Sequence, residues 1–154
     1  MHRDKVLHKR IGKLLLERGI ISEEQLNEAL ELQKKQQQEQ GRWRLIGEIL
    51  VERGYATEEE IITSVTTQYA VPFLPIESYG IDEELIKSVP ADIVQKHVFL
   101  PIDKMGSLIT ITIAEIPDAE TISDIEQALG CNVEIFVSSP TELRRAIEKY
   151  YGEK

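Results

Sequence analysis

The chain has 154 residues, 42% of them hydrophobic, and a formal net charge of -9. That is enough chain to bury the core of one domain or of two small lobes, with the composition of a globular protein. It holds no apolar run of ~18 residues and no signal-peptide pattern at Met1-His2-Arg3-Asp4-Lys5, which excludes a bilayer-spanning helix and an exported precursor and sets the expectation of a cytoplasmic protein.

Two stretches in the N-terminal part are the same stretch written twice. Arg10-Ile11-Gly12-Lys13-Leu14-Leu15-Leu16-Glu17-Arg18-Gly19-Ile20-Ile21-Ser22-Glu23-Glu24-Gln25-Leu26 continues to Gln33. Leu45-Ile46-Gly47-Glu48-Ile49-Leu50-Val51-Glu52-Arg53-Gly54-Tyr55-Ala56-Thr57-Glu58-Glu59-Glu60-Ile61 continues to Gln68, and every apolar, glycine, hydroxyl and terminal glutamine position coincides at an offset of 35. This is a tandem unit. Ile11, Leu14 and Leu15, then Leu26 and Leu30, recur at helical spacing, and Gly19 stands where a helix closes on a residue at positive φ. Ser22 with Gln25, and Thr57 with Glu60 after Gly54, form reciprocal capping patterns, so each repeat is expected to be helix, glycine turn, capped helix. Glu23, Glu24, Glu58 and Glu59 then sit at the positive end of a helix dipole. Between the copies, Lys34 to Gln40 should prolong the second helix by about two turns before Gly41 stops it. Trp43, between Arg42 and Arg44, is suited to packing under the next helix or to stacking on a flat ligand.

From residue 71 the pattern changes. Val71-Pro72-Phe73-Leu74-Pro75-Ile76 cannot be helical, because each proline lacks an amide donor and drives its predecessor to extended geometry. It reads as a linker over residues 71–81. Short helices are expected at Asp82 to Val89 and Ala91 to Lys96, separated at Pro90. Val98 to Ile102 and Leu108 to Ala114 read as strands about a Lys104-Met105-Gly106-Ser107 turn, Pro117 to Leu129 as a helix, Val133 to Val137 as a strand, and Pro140 to Tyr151 as a helix capped by Ser139. The expected fold is therefore α+β: a lobe of two helix-turn-helix repeats over residues 1–70, the linker, and a small ββαβα lobe over residues 82–154 with helices packed on a sheet.

Charge is unevenly placed between these parts. Residues 1–70 carry eleven Lys/Arg against twelve Asp/Glu, and residues 71–154 carry seven against fifteen. The acidic second half repels duplex phosphate, whereas Lys9, Arg10, Lys13, Arg18, Arg42 and Arg44 in the first half can hold one compact anion. A helix-turn-helix reader of DNA would place Glu23, Glu24, Glu28 and Glu31 along its recognition helix, so no DNA partner is expected.

Catalytic signatures are absent from the sequence. It has no phosphate-gripping loop, dinucleotide glycine fingerprint, Gly-x-Ser-x-Gly elbow or paired-histidine zinc motif. His2, His8 and His97 share no ligand spacing, and Cys131 stands alone, so no enzyme, no metal site and no cofactor are expected. Asp118, Glu120 and Asp124 read as an acidic helix start. The candidate site is the start of each repeat. Gly12 or Gly47 lets a flat ligand approach the backbone, Arg10 can grip a phosphate bidentately, and Gln33 or Gln68 offers an amide to a base edge. The same residues read equally as close helix packing and ordinary helix faces.

The quoted repeats resemble the N-terminal domain shared by type II secretion and type IV pilus assembly ATPases. The resemblance extends over Gln68-Tyr69-Ala70-Val71-Pro72-Phe73, Leu85 to Pro90, Val98 to Ile102, Ile113-Ala114-Glu115-Ile116-Pro117-Asp118, and Ala146-Ile147-Glu148-Lys149-Tyr150-Tyr151-Gly152. It implies a non-catalytic regulatory and docking module that works with the ATPase motor domain and reaches the inner membrane through a platform protein. Some members of that family bind cyclic di-GMP through tandem Arg-Leu-Gly-type repeats ending in glutamine. Arg10, Ile11, Gly12, Leu15, Gly19, Leu26, Leu30 and Gln33 match the first motif, with isoleucine following the arginine. Ile46, Gly47, Leu50, Gly54, Ile61, Val65 and Gln68 match the second, where Leu45 takes the arginine position and Arg44 lies one residue early. The spacer from Lys34 to Arg44 is longer than in binding members. The resemblance thus implies a ligand site of Arg10, Ile11, Gly12, Leu15, Gln33, Arg44, Ile46, Gly47, Leu50 and Gln68. Without a phosphate-gripping loop the chain is expected to be an excised domain or a stand-alone relative, and its alternative role is docking to the platform protein without nucleotide.

Overall fold

A computed structural model of the protein describes residues 11–40 and 44–152. Arg10, Arg42, Trp43, Gly41 and the N-terminal cluster with His2, His8 and Lys9 lie outside the described residues.

Helices α1 (Ile11–Glu17) and α2 (Glu23–Gln40) form the first repeat, and α3 (Ile46–Glu52) and α4 (Glu58–Tyr69) the second. Both repeats turn by the same device. Gly19 at φ 75° and Gly54 at φ 77° occupy the left-handed region that the chain needs to leave a helix. In the first repeat the Ile20 amide donates to the Leu15 carbonyl and Gly19 to Leu16; in the second, Tyr55 donates to Leu50 and Gly54 to Val51. The next helix then starts on the expected hydroxyl. Ser22 Oγ accepts from the Gln25 amide at 3.2 Å while Gln25 Oε1 accepts from the Ser22 amide at 2.9 Å. Thr57 and Glu60 repeat the exchange at 3.0 and 2.9 Å. Leu14, Leu15, Ile49, Leu50, Ile61 and Val65 fill the core between the four helices. A carboxylate fixes the angle between the repeats: Glu28 of α2 receives Tyr55 Oη at 2.6 Å and pairs with Arg53, both on the second glycine turn. These two partners hold the Glu28 carboxyl below its ordinary range, the tyrosine contributing most.

The second lobe follows the expected order. Helices α5 (Glu83–Ser88) and α6 (Ala91–His97) lead into β1 (Leu100–Met105), β2 (Leu108–Ile113), α7 (Ala119–Leu129), β3 (Asn132–Val137) and α8 (Pro140–Tyr151). The three strands lie in the order β1-β2-β3, the first pair antiparallel and the second parallel. The parallel pair requires a crossover, and α7 supplies it. Because β2 is central and covered on both faces, Ile109, Ile111 and Ile113 and also Thr110 and Thr112 are buried. Ile102, Phe99, Ile125, Leu143 and Ile147 complete that core. The α7 helix starts two residues later than its apolar pattern suggests because Asp118 Oδ1 caps it, accepting from the Thr121 amide at 2.9 Å. Ser139 caps α8 in the expected way.

The stretch from Val71 to Pro75 is extended as its prolines require, and it is also seated on the sheet. Leu74 donates to the Val137 carbonyl at 2.8 Å and Val137 to that of Pro72 at 2.9 Å, while the short 3-10 turn Ile76–Ser78 follows. Ser138 Oγ, fully buried, donates to the Leu74 carbonyl at 2.7 Å and stands 2.6 Å from Thr112 Oγ1. A segment that sequence marks only as non-helical thus becomes a short partner for β3.

The two lobes meet where α8 lands on the second repeat. Glu48 is 6% exposed, and Arg144 grips it through two parallel bonds of 2.8 Å, Nε to Oε2 and Nη2 to Oε1. The same carboxylate accepts the Leu45 amide at 2.9 Å. Glu58 Oε1 accepts the Thr141 amide at 3.1 Å beside it. Removing one member of such a pair leaves a charge in low dielectric. Arg144→Met should therefore lower stability to urea by about 2–4 kcal/mol, and Arg144→Lys should recover only part of it because an ammonium cannot supply the planar fork. At the glycine turns, Gly19→Ala and Gly54→Ala should each cost about 1 kcal/mol through the left-handed φ, and equal losses in urea melts would show that the two turns are equivalent.

Candidate functional site

A groove of about 410 Å³ runs between the first repeat and the second lobe. Gly12 and Lys13 of α1 with Leu26, Leu30 and Gln33 of α2 form one wall, and Leu45 and Ile46 at the start of α3 form its end. The opposite wall is the last turn of α6, Lys96 to Val98, and the loop Glu115 to Asp118 leading into α7.

Each wall follows from local sequence. A Cβ on Gly12 would stand 2.6 Å from Leu26 Cδ1, so any side chain there would displace the Leu26 methyl groups that line the groove. Gln33, two turns past Leu26, is buried and donates from Nε2 to the Arg44 carbonyl at 2.7 Å. The end of the first motif thereby holds the start of the second. The opposite wall is carried by the sheet: β2 ends at Ile113, and the chain crosses through Glu115 to the capping Asp118.

Of the ten residues singled out from sequence, Ile11, Gly12, Gln33 and Ile46 line this groove together. Leu15 and Leu50 lie beneath it, fully buried in the repeat core. Gly47, Arg44 and Gln68 are outside the lining. The Gly47 amide donates to Glu115 Oε2 at 3.2 Å, and Pro140 Cγ would sit 3.3 Å from a Cβ there. Arg44 directs Nη1 to Glu52 Oε1 at 2.9 Å. Gln68 is exposed near the end of α4. Arg10 lies outside the described residues, next to Ile11.

Sequence reading missed the far wall. Lys96 and His97 on one segment, and Glu115, Asp118 and Thr121 on another, share no sequence signal and are gathered by the sheet. Burial, and then the adjacent Lys96 charge, lowers the His97 imidazole below its ordinary value against an opposing pull from Asp124. His97 is thus mostly neutral at pH 7 and adds an imidazole edge rather than a charge. The groove offers two ammonium groups, an amide and two carboxylates around apolar Leu26, Leu30 and Ile116, a mixed polar and apolar lining. Among the described residues no group of three or more His, Cys, Asp or Glu side chains is placed to hold a metal ion, and no helix is long and apolar enough to cross a membrane.

Comparison with known proteins adds to this geometry. Residues 69–154 match the MshEN domain family. The type IV pilus assembly ATPase PilB of Myxococcus xanthus (strain DK1622) is 30% identical over 145 residues, which are 94% of this chain and 25% of that protein. The chain thus spans a quarter of that relative's length. Among solved structures, MshE with cdg aligns with a TM-score of 0.62 at 24% identity, covering 94% of this chain and 100% of that one. The N-terminal domain of XpsE aligns with a TM-score of 0.64 at 21% identity, covering 93% and 94%. These structures share the fold.

Proposed function

The chain belongs to the MshEN domain family, and on that premise we propose that it is a non-catalytic regulatory and docking domain of a secretion or pilus assembly ATPase, taking cyclic di-GMP into the groove beside its first repeat. In this reading residues 1–70 are the ligand-sensing lobe, residues 71–81 the connection and residues 82–154 the lobe that carries the far wall. The observation that carries the proposal is the convergence of Ile11, Gly12, Gln33 and Ile46, chosen from two sequence motifs, on one groove that also presents Lys13 and Lys96. The solved relative MshE with cdg, taken as cyclic di-GMP, supports a nucleotide of this kind.

The ligand's chemistry fits the lining. A cyclic dinucleotide brings two phosphates and two flat bases. Arg10, one residue before the groove, and Lys13 would meet a phosphate. Leu26 and Leu30 give an apolar surface for a base, Gln33 stands at its edge, and Leu15 and Leu50 keep the floor rigid from below. Binding needs no bond to break, and a motor domain would supply hydrolysis. The partners in this reading are that motor and an inner-membrane platform protein, with the domain in the cytoplasm at the membrane face.

A second reading, docking to the platform protein without nucleotide, draws on the second copy. Its glycine is covered by Pro140 and its neighbouring arginine is spent on Glu52. Calorimetry separates the two. Cyclic di-GMP should bind saturably, and Arg10→Ala should weaken it by about 10- to 100-fold, the range for one charge-assisted contact. Heats equal to those of buffer would leave docking alone.

A further inference from the structure

The two repeats have the same sequence pattern but opposite surroundings. In the second copy Val65 is 1% exposed, Glu48 is buried against Arg144, and Pro140 and Glu115 lie on Gly47. At the equivalent positions of the first copy Leu30 is 42% exposed, Lys13 is exposed and Gly12 lines the groove. The chain's own second lobe has taken the place beside the second repeat and left the place beside the first.

Among the described residues, the cations of the second repeat are already paired, Arg53 with Glu28 and Arg44 with Glu52. Leu45 stands at the position where the first copy has Arg10, and its amide is engaged by Glu48. Arg44, one residue earlier, has its guanidinium on Glu52 and its carbonyl on Gln33. A ligand with two phosphates held by the first repeat would therefore have its second phosphate unmatched by the second repeat.

Across the groove stands a lysine. The second lobe, residues 82–154, has only seven Lys/Arg against fourteen acids. Of these, Arg144 is on Glu48, Arg145 is near Glu77, and Lys149 lies over the Tyr150 ring. Among the described residues, Lys96, exposed in the last turn of α6, is the one of these cations that lines the groove, facing the wall that carries Lys13. The two carboxylates that line the groove on its own wall each accept a backbone amide: Glu115 that of Gly47 and Asp118 that of Thr121. Their charge is thereby partly offset by donors, so the ammonium can still attract an anion.

We infer that Lys96 is the second phosphate-binding cation of this groove, replacing across the lobes the arginine that the second repeat lacks. Recognition is then one-sided with respect to the repeats: the first copy supplies one half of the site and the second lobe supplies the other. This rests on the nucleotide reading of the groove, which it extends by naming a contact residue that neither motif contains.

The test is calorimetric titration of the whole chain with cyclic di-GMP at two salt concentrations. Lys96→Gln should weaken binding about tenfold and flatten its salt dependence, as loss of one phosphate-contacting lysine does. Lys96→Arg should keep most of the affinity, and Lys104→Gln, outside the groove, should behave as the unaltered chain. Lys96 is exposed, so thermal melts of the variants should coincide and exclude misfolding as the cause. If Lys96→Gln binds with unchanged affinity and salt dependence while the unaltered chain binds well, this inference is overturned and the nucleotide reading stands. If the unaltered chain shows no saturable heat, both are overturned.

Discussion

One carboxylate joins everything. Glu48 accepts the amide that begins α3 and both arms of the Arg144 guanidinium, so the second repeat and the last helix share a single anchoring point that water barely reaches. A buried pair of this kind is weakly stabilising in net terms but strongly directional, because the charge tolerates no geometry that leaves it unpaired. It sets where the second lobe sits, and that position in turn determines that a groove opens beside the first repeat and not beside the second.

The duplication therefore does not produce a symmetric site. Equivalent turns, caps and core apolar positions give two copies of one scaffold, and the difference that matters lies at the helix starts and their outward faces. Lys13 against Glu48 inverts a charge, and Arg10 against Leu45 deletes one. Such exchanges leave helix packing intact while assigning the copies different neighbours, one a helix of the same chain and the other an open channel.

How much of this could be read in advance follows from the range of each interaction. The glycine turns and both capping boxes were legible because they are settled within six residues, and so was the ββαβα order, through the alternation in Leu108–Ile113 and the prolines at 72, 75, 90 and 140. Ile11, Gly12 and Gln33, which line one groove, were marked together only by the resemblance of the first repeat to a family motif. The pairing of Pro72 to Leu74 with β3 was not legible, because a proline-rich segment declares only what it cannot be. Nor was the far wall, since Lys96 and Glu115 are brought together by a sheet register and a crossover that leave no local pattern. Gly47 was readable as a site glycine from its motif, but its coverage by Pro140 depends on a contact 93 positions away.

The Gln33 amide also settles the effect of the long spacer. Its bond to the Arg44 carbonyl closes the chain on itself across the insertion, so the path leaves the paired helices at Gln33 and returns to the same place at Arg44. The last turns of α2, from Lys34 to Gln40, lie beyond that tie, so a change in their length would be taken up away from the contact that joins the two repeats.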